Sequence, residues 1–189
     1  MSYLINLCYN FTVMIGLPSY GLAIIFLTVL IKAVLYPLTL KQMRSMAIMQ
    51  QLAPKVKEIQ AKYREKDPQK MQKKIMELYQ EHNVNPLSGC LPLLIQLPIL
   101  IALYRALLFF QYPDPRHASF FWIANLSNVG DPYYIFPVLA AVSTYYQSRL
   151  TMTSNDPTQR VMLYTMPVFI GWICTTVPAG LSLYWVVFN

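Results

Sequence analysis

The chain has 189 residues, of which 56% are hydrophobic and 12% charged, with mean hydropathy +0.37 and net charge +7. Water-soluble domains carry about 25% charged residues, so that class is excluded, and the length suits one integral membrane domain over residues 1–189. Cys8, Cys90 and Cys174 stand apart in apolar surroundings, as small buried hydrophobes do and as a disulfide or metal set does not.

Met1 to Ser19 is moderately apolar, with Asn6, Asn10 and Pro18, and predicts an amphipathic helix on the outer surface before the first span. It has no basic n-region, so no signal peptide is read there, and Ile5-Asn6-Leu7 before Cys8 lacks the small residues of a lipoprotein cleavage site. Gly21 to Leu40 is nineteen uncharged residues and Lys32, close to the ~20 residues that cross a hydrocarbon core of ~30 Å. Lys41 follows nine residues later, which at ~1.5 Å per residue sets Lys32 roughly 13 Å inside that boundary. A charge at such depth costs ~2.5–3.5 kcal/mol on insertion scales and normally faces protein or water. Snorkelling toward the headgroups is the plain alternative, but the lysine stem spans less than half that distance. A cation lining a polar cavity within the bilayer accounts for the position better. Pro37 predicts a kink at the inner end of this span.

Between Lys41 and Pro86 lie ten of the fifteen basic residues and five acidic ones, so this segment is +5 and the rest of the chain +2. The basic excess places it in the cytoplasm. Met49, Leu52, Val56, Ile59 and Tyr63 are spaced three-four-three-four, and Met71, Ile75 and Leu78 four-three. Two such stripes broken at Asp67-Pro68 predict an antiparallel helical hairpin over residues 41–86, with Pro54 marking the start of its first helix. His82 reads as an exposed helix-end residue, since no second ligand sits at metal spacing.

The run Asn85 to Ile99 opens a second span that ends near Phe110, with Arg105 snorkelling from its outer end. Residues 111–130 form an outer loop whose Phe120-Phe121-Trp122 suits the aromatic interface belt. Asp131-Pro132 is an N-cap followed by proline and predicts a third span from Tyr133 to about Leu150. Asp156-Pro157 repeats the device for a fourth span to Val177. Pro178-Ala179-Gly180 turns the chain outside, and a fifth span starts at Leu181. It stops at Asn189 after nine residues, so the last span is expected to be truncated.

On the first span Thr28, Lys32, Tyr36 and Thr39 share a narrow stripe, while Val34 points about 200° from Lys32. Ser143 and Gln147 on the third span, Thr165, Trp172 and Thr176 on the fourth, and Trp185 on the fifth are expected to complete a wet groove. For the threonines alone, hydrogen bonding between packed helices would suffice. Lys32 tips the balance, because no intramembrane carboxylate is present to pair with it.

The run NPLSGCLPLLIQLPI at 85–99, Tyr36-Pro37-Leu38-Thr39, Asp131-Pro132-Tyr133-Tyr134-Ile135, Met166-Pro167 and Pro178 to Trp185 occur in family order. In these the chain resembles the YidC/Oxa/Alb membrane protein insertase family, in its bacterial short form without a large extracytoplasmic domain. The resemblance implies an all-α integral membrane fold of five transmembrane helices, a cytoplasmic antiparallel hairpin, and a hydrophilic groove open to the cytoplasm and to lipid. It implies a chaperone-like insertase, not an enzyme, that receives nascent membrane proteins in a bacterial inner membrane with its N-terminus outside. Implied partners are nascent chains, the lipid bilayer, and beyond them the ribosome, the Sec translocon and the signal-recognition-particle receptor. The family's basic cytoplasmic tail, linked to ribosome contact, has no match in these residues. No cofactor, no metal and no direct reading of nucleic acid are expected. The family usually has arginine five residues before the proline at 37, where this chain has Lys32; charge is kept and the guanidinium fork is lost.

A small-solute transporter or channel is the alternative. It would want intramembrane carboxylates and an inverted repeat, whereas Asp114, Asp131 and Asp156 sit at span ends or in loops. An intramembrane protease would need a membrane-depth aspartate pair or a serine–histidine dyad, and both histidines lie outside the spans.

Overall fold

The computed structural model describes residues 1–63, 67–85, 91–110, 112–152 and 157–189, with backbone alone at 91–93 and 157–158. Among these residues the chain is helical, apart from two isolated bridges. The helices are α1 (Ser2–Met14), α2 (Tyr20–Tyr63), α3 (Pro68–Glu81), α4 (Leu91–Leu108), α5 (Ile135–Thr151), α6 (Pro157–Thr176) and α7 (Ala179–Phe188).

The first helix, α1, buries Ile5, Cys8, Tyr9 and Thr12, a three-one-three spacing that lays one face on the bundle. The opposite face is apolar too, with Tyr3, Leu7, Phe11 and Met14 exposed, so the expected polar-against-apolar character is weak.

The next helix, α2, runs unbroken for 44 residues with Pro37 and Pro54 inside it; no separate helix starts at Pro54. Proline removes one N–H and crowds the carbonyl four residues back. Met49 and Leu52 before Pro54 and Val56 after it are nevertheless buried together, and one stripe across the proline needs continuous helical phase. At the far end Asp67 caps α3, accepting from the Lys70 N–H at 2.9 Å, with Pro68 in the first turn. The stripe residues Met71, Ile75 and Leu78 are half-buried where α3 packs on α2. The Lys62 and Lys70 ammoniums each stand 5.6 Å from the Tyr63 ring centroid.

The hub is α7. It packs on α2 and α5 and also touches α4 and α6, and its residues Ala179 to Tyr184 are consecutively buried, as expected of a helix surrounded on every side. Gly180 permits the closest approach: a Cβ there would lie 3.0 Å from Ile24 Cδ1 and 3.2 Å from Leu107 Cδ1.

The connections gather at two ends. At one end Tyr9 Oη lies 2.7 Å from His117 Nδ1. There also the α6–α7 turn is tied to the loop before α5, through Gly130 N–H to Val177 O (3.0 Å) and Ala179 N–H to Asn128 O (2.9 Å). At the other end the Gln50 amide donates to Met152 O at 2.9 Å, joining α2 to the end of α5. The third helix of the bundle starts later than Tyr133. Asp131 caps a short turn, accepting from the N–H groups of Tyr133 (3.0 Å) and Phe136 (2.7 Å) and from the Trp122 indole (3.0 Å), while Tyr134 takes a left-handed φ of 57°. The carboxylate reaches past the turn, so regular helix begins at Ile135. Asp156, expected to cap α6, lies outside the described residues, as does Cys90; Cys8 and Cys174 are buried and free.

Membrane character follows from what stays uncovered. Among the described helices α2 is long and apolar enough to cross a membrane, and α7 and Leu94–Leu108 of α4 are shorter apolar helices. Val138 and Val142 of α5 and Val161, Val168 and Phe169 of α6 are exposed. Apolar surface of that extent requires a covering that water does not provide.

Candidate functional site

Burial changes abruptly along the bundle. In α2 the buried positions run Tyr20, Gly21, Ala23, Ile24, Leu27, Thr28 and then stop until Gln42. In α5 they are Phe136, Pro137, Ala140 and Thr144, and none follows. Burial on α2 and α5 is thus concentrated in one half, the closed half next to the 112–130 loop, and is sparse in the other, the open half toward α3.

Lys32 lies one helical turn past Thr28, at the start of the open half, and is exposed. Its ammonium stands 4.9 Å from the centroid of Phe188 at the end of α7, a cation–π contact. Among the described residues no carboxylate forms an ion pair with it. Tyr36, one turn on, is 60% exposed. Thr39 is exposed and its hydroxyl donates to Leu35 O at 3.0 Å. Thr28, expected in the groove, is not brought to it: it is fully buried and donates to Ile24 O at 2.7 Å. A threonine in an apolar helix places its proton on the carbonyl four residues back, and the packing around Thr28 keeps its oxygen from any groove.

The side of α7 that faces α5 carries a polar cluster. The Trp185 indole donates to Thr144 Oγ1 at 3.1 Å. With its amide oxygen turned to the hydroxyls, Asn189 accepts from Ser143 and Thr144 at 2.9 Å each and donates to Gln147 Oε1 at 2.7 Å. The predicted residues Ser143, Gln147 and Trp185 therefore come together. Thr144 and Asn189 join them, missed because the pairing spans 45 residues of sequence.

The three residues predicted on α6 do not join this cluster. Thr165 donates to Val161 O (2.9 Å) and Thr176 to Ile173 O (2.9 Å), and Trp172 is 62% exposed, its ring beside that of Phe169 of the same helix. All three lie on the side of α6 away from its buried Leu163, Pro167, Ile170 and Cys174.

A further polar pair sits between α4 and α7. The Gln96 amide donates to the Tyr184 hydroxyl at 2.8 Å, with both side chains buried. Glutamine within the apolar run 91–108 was the signal in the sequence.

Comparison with known proteins fits this architecture. The model of the 60Kd inner membrane protein family matches residues 10–189. The membrane protein insertase YidC of Geobacter metallireducens is 44% identical over 172 residues, which is 90% of this chain and 31% of that protein. YidC of Francisella tularensis subsp. novicida is 46% identical over 90% of this chain and 30% of its own length. The crystal structure of an active YidC insertase with its first transmembrane domain resolved superimposes with a TM-score of 0.78 at 32% identity, covering 99% of this chain and 42% of that one. The chain spans about a third of the length of the curated relatives it matches. It belongs to the 60Kd inner membrane protein family, as a YidC-like member.

Proposed function

We propose that this chain is the membrane-embedded core of an insertase, which receives nascent membrane proteins in the open half of its bundle and releases their helices into lipid. Five helices, α2, α4, α5, α6 and α7, span a bacterial inner membrane. The closed half and α1 face outward, and the α2–α3 pair projects into the cytoplasm as a hairpin that makes first contact with substrate.

The observation that carries this is the position of Lys32 where burial stops along α2. A polar segment entering hydrocarbon loses its hydration at a cost of several kcal/mol per unpaired group. A half-bundle lined by Lys32, Tyr36, Ser143, Gln147 and Trp185 reduces that cost, and the ammonium attracts acidic residues on the segment. The substrate's apolar helix then passes along α4 and the exposed face of α6, where Thr165 and Trp172 lie. The ribosome, the Sec translocon and the signal-recognition-particle receptor would act at the cytoplasmic end. No observation among the described residues favours a solute transporter or channel.

The test is complementation in cells depleted of the endogenous insertase, with Lys32 varied. Lys32→Arg should support insertion, Lys32→Ala should impair substrates with acidic translocated segments most, and Lys32→Glu should be worst. If Lys32→Glu inserts an acidic-tailed substrate as well as the parent does, the cationic groove is wrong.

A further inference from the structure

We infer that Gln96 is a positioning residue that latches the open half of α4 to α7 through Tyr184. The inference rests on the groove reading above for its purpose, but its geometry stands apart from it. Among the described residues α4 packs on α7 and more thinly on α1, and makes no extensive contact with α2, α5 or α6. Its buried apolar residues, Leu103, Ala106 and Leu107, all lie in the closed half. Between Leu94 and Pro98 one side chain is buried, and it is Gln96. Its amide N–H to the Tyr184 hydroxyl, 2.8 Å long, is therefore the polar tether of that segment.

Two further features mark the tether as one that can open. Pro98 has no N–H for the carbonyl of Leu94 and crowds it, so α4 bends most readily between its apolar anchor and the tether. Gln96 Oε1 is buried without a hydrogen-bond partner among the described residues. An unpaired buried acceptor raises the free energy of the latched state. When the tether releases, that oxygen can take the N–H of a peptide group arriving in the groove. The end of α4 before Pro98 then swings from α7 and widens the lateral path to lipid, while the Leu103–Leu107 end stays seated.

The test measures distance directly. The full chain, with its native cysteines replaced, is reconstituted in liposomes and spin-labelled at Leu94→Cys on α4 and Tyr146→Cys on α5, both exposed positions. A second pair, Leu108→Cys with Tyr146→Cys, reports on the anchored end. Gln96→Leu, Tyr184→Phe and the double variant should each shift the first distance distribution to longer, broader values, the double by no more than either single. The second pair should not move. The double variant replaces both partners by apolar groups of similar shape, which keeps the seam packed. Unchanged Leu94 distances in all three, a double effect equal to the sum of the singles, or an equal shift at Leu108 would overturn the latch. Lost insertion with unmoved distances would also overturn it and would leave the groove reading standing. Moved distances with normal insertion would uphold it and count against the groove reading.

Discussion

Tyr20 and Tyr36 stand on the same helix, sixteen residues apart, and have opposite surroundings. Tyr20 is fully buried, stacked at 4.0 Å on Tyr9 and edge-on to Phe110 and Tyr112. Tyr36 is 60% exposed. The difference between them is the difference between the halves of the bundle. The closed half holds the helices together through apolar packing and loop ties. Where the closed half ends stand a buried and a part-buried polar contact, Gln96 to Tyr184 and Trp185 to Thr144 respectively. If the proposed groove is right, stability and function separate along the helix axes, and mutations should sort accordingly.

The largest contrast is expected between the two tyrosines themselves. Tyr20→Ala should destabilise the protein by roughly 3–5 kcal/mol, and Tyr36→Ala by no more than ~0.5 kcal/mol, read from thermal unfolding in one detergent. Similar losses would erase the distinction between halves. Next comes the Asp131 cap, which holds two backbone N–H groups and the Trp122 indole. Asp131→Ala should cost about 2 kcal/mol, and unchanged unfolding would show that the loop ties do not matter. In the open half, Lys32→Glu should leave unfolding within ~0.5 kcal/mol while lowering insertion of an acidic-tailed substrate about tenfold, the equivalent of ~1.4 kcal/mol. Loss of fold instead of insertion would place Lys32 among the structural residues.

The smallest effect concerns pH at the loop end. Hydrogen bonds from the Arg116 guanidinium and backbone N–H hold the Asp114 carboxyl below the usual carboxylate range. A depressed folded-state value stabilises the loop above the unfolded value, near pH 4, and that stabilisation fades as pH falls through the folded one. Amide exchange around 114–118 should quicken in acid, and Asp114→Asn should remove the pH dependence. An unaltered acid profile in that variant would show that the pair is idle.

What could be read from the sequence was what depends on neighbours along the chain. The stripes of Met49–Tyr63 and Met71–Leu78 and the Asp67-Pro68 break follow from local charge and spacing, and the helices form where those signals lie. Periodicity finds a face of a helix but not what covers it. Thr28 shares a stripe with Lys32 and yet is fully buried, its hydroxyl donating to Ile24 O. Thr165, Trp172 and Thr176 form a true stripe that points away from α5. Gln96 and Tyr184 meet across 88 residues, which no local pattern records. The late start of α5 was likewise hidden, since it depends on a carboxylate shared between a loop indole and the Phe136 N–H.

Thiol accessibility tests the division between halves most directly. In a background without native cysteines, single cysteines at positions 28, 34 and 36 are exposed to a membrane-impermeant reagent from the cytoplasmic side. Tyr36→Cys should react, Thr28→Cys should be protected by packing, and Val34→Cys, which is 70% exposed but turned away from Lys32, should be protected by lipid. Equal reaction at positions 34 and 36, or reaction at 28 as fast as at 36, would contradict a one-sided groove that opens just past Thr28.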